Sequence, residues 1–273
     1  MSTVPITAEV VCAGSFRSFA ATHVGTVRNH NEDHFVNRPD LGVWAVADGA
    51  GGHQAGEVAA RIVAEALAEV PKGLAAAELL AEVRLRILHA HDSIRAEAAR
   101  RGGGAILATT IVALLAHRDH YACLWAGDSR AYLLRGGRLS QVTHDHSLVQ
   151  ELVDAGAITP EEALTHPRGN VITRAVGADF SVLELDKVTD RLRRGDRFLL
   201  CSDGVSKIVP ETEIARLLAA DGVSPAEHLI AAALDRNCDD NVTAVAVELL
   251  TPAARPELDD TVSGFRTDFG AAE

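Results

Sequence analysis

The residues Val43-Trp44-Ala45-Val46-Ala47-Asp48 form an apolar run, mixed β-branched and aromatic, that stops at an acid. Gly49-Ala50-Gly51-Gly52 follows, then His53 and Gln54, then an alanine-rich stretch with helical spacing. That order reads as strand, sharp turn, helix. Such a turn has few uses. A dinucleotide loop needs glycines at G-x-G-x-x-G. Gly49 and Gly51 fit, but the sixth position is Gln54. A phosphate set against Asp48 would also be repelled unless a cation lay between them. A metal loop fits better, with Asp48 as ligand and the glycines letting backbone carbonyls approach an ion. A plain Asp-Gly turn with a solvated carboxylate is the remaining reading. The stretch alone does not decide between these last two.

The same design recurs along the chain. Gly127-Asp128-Ser129-Arg130 lies between apolar runs at 121–126 and 131–134. The run Arg197–Cys201 ends in Ser202-Asp203-Gly204, and Asp239-Asp240-Asn241 leads into a last apolar run at 242–250. Asp48, Asp128, Asp203 and Asp240 thus stand at strand ends or starts, each close to glycine or asparagine. Burying one unpaired carboxylate costs several kcal/mol, so four or five could converge only around cations. Oxygen-only ligation suits magnesium or manganese rather than zinc. Two such ions about 3.5–4 Å apart generate a bridging hydroxide for in-line attack. Nearer the N-terminus, Arg28-Asn29-His30-Asn31-Glu32-Asp33-His34 is a polar knot between two strand-like pieces. Arg28 reads there either as half of a surface ion pair or as an anion-binding group beside a cation-binding pair.

Between these acids the chain is regular. Helical spacing runs over 54–70 (Ala59, Ile62, Val63, Ala66, Leu67, Val70) and is stopped by Pro71 and Gly73. A second helical pattern covers 74–101. It contains His89 and His91, which two residues apart point to different faces and read as helix-surface histidines. Gly102-Gly103-Gly104 lacks the Gly-Lys-Ser/Thr ending of a phosphate loop. Strands succeed one another over 106–142, with Gly136-Gly137 as a hairpin signal. Thr143-His144-Asp145-His146-Ser147 opens a helix to 155. Hydrolytic triads assemble from distant positions, so Asp145 or Ser147 is expected to cap that helix instead. Residues 156–177 read as an exposed flap, with a short helix start at Thr159-Pro160-Glu161-Glu162. Strands at 182–188 and 197–201, helices at 210–220 and 225–234, and a strand at 242–250 complete the pattern.

Helices cluster, then strands, then helices again, as expected of two antiparallel sheets with helical layers outside. The fold class is α+β, a four-layer αββα sandwich in one domain over 16–252. Residues 1–15 read as a loosely held lead-in and 253–273 as a disordered tail. The chain of 273 residues is 47% hydrophobic, enough for a large core. A net charge of −12 argues against nucleic acid as a partner. No apolar run approaches a membrane span, and no secretory leader pattern opens the sequence, so no membrane partner is expected. Cys12, Cys123, Cys201 and Cys238 are scattered with no C-x-x-C pair, which fits a reducing, cytoplasmic compartment.

Arg28-x-x-Asn31-Glu32-Asp33, Asp48-Gly49-x-Gly51-Gly52-His53, Gly127-Asp128-Ser129-Arg130, Ser202-Asp203-Gly204 and Asp240-Asn241 occur in the order and spacing of metal-dependent protein phosphatases. Over about residues 18–250 the chain resembles the PPM, or type 2C, serine/threonine class in its compact bacterial form. The resemblance implies a β-sandwich flanked by helices, with a binuclear metal site at one end. It implies that Asp48 bridges two Mn2+ or Mg2+ ions and that Asp203 and Asp240 complete one site. Glu32 and the Gly49 carbonyl would serve the other. Asp33 would hold bound water, and Asn241 would support the ligands from behind. Asp128 with Asp203 would match a third, weaker ion. Arg28 would clamp the substrate phosphate through a bidentate contact that lysine could not copy. The metal-bridging hydroxide would attack phosphorus directly, and residues 154–175 would form the flap governing access.

The chain departs from the family in places. Ala50 stands where many animal members carry a histidine proposed as general acid, and His53 further on is not assigned that role. Protonation of the leaving oxygen is therefore expected from metal-bound water. Ala108-Thr109-Thr110 replaces the usual Gly-Thr-Thr. No metal-ligand position is lost. The expected partners are phosphorylated Ser/Thr proteins, namely a cognate bacterial kinase and its substrates, with the phosphatase a monomer. The competing function is a non-catalytic regulator that binds a phosphoprotein or partner on the same fold. A nucleotide enzyme built on the 49–56 turn is more remote.

Overall fold

A computed structural model describes residues 5–51, 55–102, 106–178 and 182–250. The strands are β1 (Thr7–Ala13), β2 (Phe16–His23), β3 (Asp33–Arg38), β4 (Val43–Ala50), β5 (Ala108–Thr109), β6 (Ile111–His117), β7 (His120–Ala126), β8 (Arg130–Arg135), β9 (Arg138–Gln141), β10 (Asp186–Arg191), β11 (Arg197–Cys201) and β12 (Val242–Leu249). The helices are α1 (Ala55–Ala68), α2 (Ala76–Arg101), α3 (Leu148–Asp154), α4 (Pro160–Ala163), α5 (Asp203–Ser206), α6 (Glu211–Ala219) and α7 (Pro225–Leu234). One sheet runs β1-β2-β12-β11-β8-β9. The other runs β10-β7-β6-β4-β3, with β5 beside β4. The pairings are antiparallel throughout.

Strand periodicity sorts the apolar residues into three cores. On β4, Val43, Ala45 and Ala47 face α1 and α2 and pack with Val63, Leu67, Val83 and Ile87. The alternate residues Trp44 and Val46 face inward. They meet Leu114 from β6, Phe198 and Leu200 from β11, and Val245 from β12, in the core between the sheets. The far face of the sheet that holds β8, β11 and β12 packs Tyr132, Leu199 and Ala244 on Ile214, Leu218, Leu229 and Ile230 of α6 and α7. Helix, sheet, sheet and helix are thus four layers around three apolar seams, the sandwich expected from the order of elements.

Four sequence expectations need correction. The lead-in over 1–15 contains β1, an edge strand that pairs with β2 from Thr7↔Thr22 to Ala13↔Phe16. Its residues are mostly exposed, so no hydrophobic alternation marked it. The strand expected at 182–188 begins at Asp186, which pairs with Trp125. Leu183 and Leu185 are buried in the helix-side core but lie before the strand, which is why the apolar pattern pointed there. The run from Thr109 breaks at Thr110, whose backbone N–H donates to the Asp48 carbonyl. His91 is buried, not on the helix surface, and its Nδ1 accepts the Gly177 N–H at 2.9 Å. It fastens α2 to the C-terminal end of the flap region.

Elsewhere local signals and structure agree. Ser147 caps α3 by accepting the Gln150 N–H, and a Thr159–Glu162 capping box opens α4. Asp145 is instead held by Arg130 in a bidentate pair. Residues 1–4 and 251–273, which include the expected tail, lie outside the described residues. Among the described residues no helix is long and apolar enough to cross a membrane.

Candidate metal centre

At one end of the sandwich the inward-facing positions change character. On β4 the inward series Trp44, Val46 continues to Asp48. On β3, Phe35 leads back to Asp33. On β11, Phe198 and Leu200 lead to Ser202, and on β12, Val247 and Val245 lead to Thr243. On β6, Leu114 and Val112 lead to Thr110, just before the strand. A period of two therefore aims carboxylates and hydroxyls where apolar side chains would otherwise close the core. Asp33 and Asp48 are direct cross-strand partners. Like charges directly opposite destabilise a sheet.

Turns bring the other acids to this end. Asp128 sits in the turn between β7 and β8. Asp203 is the first residue of α5, and Asp240 lies just before β12. Asn241 holds the loop carrying Arg28 and Glu32: its Oδ1 accepts the Glu32 N–H at 2.8 Å. Its Nδ2 donates to the carbonyls of Val24 and His30, each at 2.9 Å. Ser202 donates to Asp33 Oδ2 at 2.8 Å. Thr110 receives the Asp48 N–H at 3.1 Å and shares a hydrogen bond with Ser129.

The glycines beside the acids serve close approach. A Cβ on Gly49 would lie 2.3 Å from the Gly56 carbonyl oxygen, so only glycine lets the end of β4 touch the start of α1. A Cβ on Gly204 would lie 2.0 Å from the Asn241 carbonyl oxygen, which binds the Asp203 turn to the Asp240 turn. Gly204→Ala is expected to cost about 3 kcal/mol or more, since backbone rather than a flexible side chain must move. Urea unfolding of the metal-free protein would measure it, and a loss near zero would contradict the packing described.

The electrostatics follow from this crowding. Loss of hydration, then the charges of Asp33, Asp203, Asp128 and Asp240, hold the Asp48 carboxyl well above the ordinary carboxylate range. Burial pushes Asp33 up to about 7, against hydrogen bonds from Thr243 and Ser202. Burial also raises Asp128 and Glu32. Two cations reach the margin. Lys207 Nζ lies 2.7 Å from Asp203 Oδ2 and 3.1 Å from Asp128 Oδ2. Arg28 lies 2.9 Å from Asp240 Oδ2. Burial works against the Lys207 charge, yet Asp203 and Asp128 outweigh it and hold the ammonium above its usual range.

The structure thus brings Asp48, Asp203 and Asp240 to one end, with Glu32, Asp33 and Asp128 around them. Among the described residues no three His, Cys, Asp or Glu side chains are already grouped as a finished metal cage. The donor set nevertheless suits hard divalent ions. It is oxygen only, and the leading charged influences on Asp48 are all carboxylates. His53 lies outside the described residues. The sequence reading missed Lys207, Asn170 and the hydroxyls of Thr110, Ser202 and Thr243. The inward period of β6, β11 and β12 would have found the hydroxyls, and an i,i+4 count from Asp203 would have found Lys207.

Residues 21–237 match the family model described as protein phosphatase 2C. This chain belongs to the protein phosphatase 2C family. Serine/threonine phosphatase stp of Listeria monocytogenes serovar 1/2a is 36% identical over 236 residues, 83% of this chain and 93% of that protein. Serine/threonine protein phosphatase PstP of Mycobacterium tuberculosis is 38% identical over 252 residues, 91% of this chain and 48% of that protein. Among solved structures, PppA of Pseudomonas aeruginosa superposes with a TM-score of 0.79 at 38% identity, over 86% of this chain and 97% of that one. The catalytic domain of PstP in complex with two manganese ions gives 0.75 at 37% identity, over 90% and 100%. The αββα sandwich is therefore the family fold.

Proposed function

We propose that this chain is a serine/threonine phosphoprotein phosphatase that needs two divalent ions, Mn2+ or Mg2+, at the acid-lined end of the sandwich. The observation that carries the reading is the direct cross-strand pairing of Asp33 with Asp48, inside a ring of further acids. No folding argument favours that arrangement without cations. Family membership and the two-manganese PstP structure support it.

Asp48, Asp203, Asp240, Glu32 and the Gly49 carbonyl would hold the ions. When bound, such ions supply an activated water and offset phosphate charge. The chain's own residues do the rest. Arg28 keeps its guanidinium at the rim, with one nitrogen on Asp240 and the side chain 53% exposed, so its remaining N–H groups are free to grip a phosphate. Asp33 takes hydrogen bonds from Ser202 and Thr243, and a carboxylate with two accepted bonds has acceptor capacity left to hold a water. Asn241 keeps the Arg28–Glu32 loop in place. A cleft of about 490 Å³ lies beside Asp128, Arg130 and Lys207, walled by His166, Pro167 and Asn170 of the flap. It borders the acid-lined end at Asp128 and Lys207 and offers room for a phosphorylated segment beside it. The partners this implies are phosphorylated Ser/Thr proteins, among them a cognate kinase, met by a monomer. The four free thiols support a reducing compartment, the cytoplasm.

Turnover of p-nitrophenyl phosphate and of a phosphothreonine peptide should require Mn2+ or Mg2+. Chelation should lower it by about 10³-fold or more, with recovery on adding back the ion. A protein that binds metal and phosphopeptide but turns over neither substrate would be the non-catalytic regulator. Activity that survives exhaustive chelation would refute both the metal and the assigned ligands.

A further inference from the structure

Lys207 closes α5, four residues after Asp203, and its backbone N–H donates to the Asp203 carbonyl at 2.9 Å. That turn returns its side chain to the acid it follows. Nζ donates to Asp203 Oδ2 at 2.7 Å, to Asp128 Oδ2 at 3.1 Å and to Asn170 Oδ1 at 3.1 Å. An ammonium has three protons, and here it has three oxygen acceptors. Asp128 is buried and fixed by its turn, while the Lys207 side chain is only 32% exposed. Asn170 belongs to the flap, so one cation joins the sandwich end, the α5 turn and the flap.

Asp128 and Asp203 are the two acids that would offer a third ion its ligands. A divalent ion there must sit about 2.0–2.6 Å from the same oxygens. That places it within hydrogen-bonding distance of an ammonium, where two cations repel strongly in a partly buried site. The third site therefore does not fit an ion while Lys207 keeps these contacts.

We propose that the Lys207 ammonium stands in for a third divalent ion, offsetting part of the charge on Asp128 and Asp203 from within the chain and holding the flap through Asn170. This rests on the two-ion reading of the core centre. It makes flap position independent of how much free metal surrounds the protein, since the cation that fastens it is covalently part of the chain.

Mn2+ binding, followed by calorimetry and by the electron paramagnetic resonance of free Mn2+, tests it on the full chain. The wild type should bind two ions and no more up to millimolar Mn2+. Lys207→Met, which keeps the apolar stem, and Lys207→Ala should each gain a third, weak site with a Kd of about 1 mM. In chelator, both variants should be cut faster than wild type by a protease within 156–177, and millimolar Mn2+ should slow the cut again. A third ion on the wild type overturns the proposal whatever the variants do. Folded variants that still bind two ions, with wild-type cleavage, overturn it too. Fewer than two ions on the wild type would instead remove the core reading beneath it.

Discussion

Asp48→Asn is expected to abolish turnover and, in chelator, to make the protein more stable. Asp48 lies directly opposite Asp33 on neighbouring strands. Asp203, Asp128 and Asp240 act on the same carboxyl, and all disfavour its charge. Asparagine keeps the shape and removes the charge, so the metal-free fold should gain about 1–2 kcal/mol. In a chain of this size that is an increase of about 2–6 °C in melting temperature. Adding Mn2+ should reverse the order. The wild type would gain RT ln(1 + [L]/Kd) for each ion it binds, and the variant, lacking the Asp48 carboxylate proposed as a ligand, would gain less. Turnover should fall by about 10³-fold or more, because the group that would join two ions is gone. Two melting curves for each protein, in chelator and in millimolar Mn2+, are enough. If the variant is less stable than wild type in chelator, Asp48 is a structural acid and its place in the centre is wrong.

The same conflict explains what could be read from the sequence. Continuous apolar runs mark β4, β6, β7, β11 and β12 because both faces of these strands are buried. The amphipathic spacing of α1, α6 and α7 marks their single buried face. The acids were legible for the opposite reason. Asp48, Asp128, Asp203 and Asp240 break apolar patterns at points where burial would be costly, and each recurs beside a residue suited to a tight turn. What stayed hidden depends on partners far away in sequence. β1 is an edge strand whose exposed side chains carry no periodicity, and only pairing with β2 defines it. His91 shows on α2 as one polar residue among many, and its burial depends on Gly177 returning to meet it. Lys207 reads as an ordinary surface lysine until α5 forms and Asp128 arrives from 79 residues away. Five short motifs in order identify the family, but they say nothing of these three, because the motifs record ligands and not the groups that neutralise or brace them.

Arg28 settles whether the rim of the site recognises phosphate. Its contact with Asp240 has one nitrogen at 2.9 Å, on side chains 53% and 37% exposed. Such a pair contributes at most about 1 kcal/mol to stability. A surface ion pair and a phosphate clamp therefore predict different kinetics for the same substitution. As an ion pair alone, Arg28→Ala would leave kcat/KM near wild type and change melting slightly. As a clamp, the substitution should lower kcat/KM by about 10²-fold, close to 3 kcal/mol, for p-nitrophenyl phosphate and phosphopeptide alike. The phosphate is the only part the two substrates share. Arg28→Lys should recover only part of the loss, because an ammonium supplies the charge but not the planar fork. Mn2+ affinity should not fall in either variant, since a guanidinium cannot ligate a cation and its removal would free Asp240 Oδ2, the oxygen proposed for the ion. A drop in Mn2+ affinity parallel to the drop in kcat/KM would instead show that Arg28 acts by shaping the Asp240 turn, and the clamp would have to be sought elsewhere on the rim.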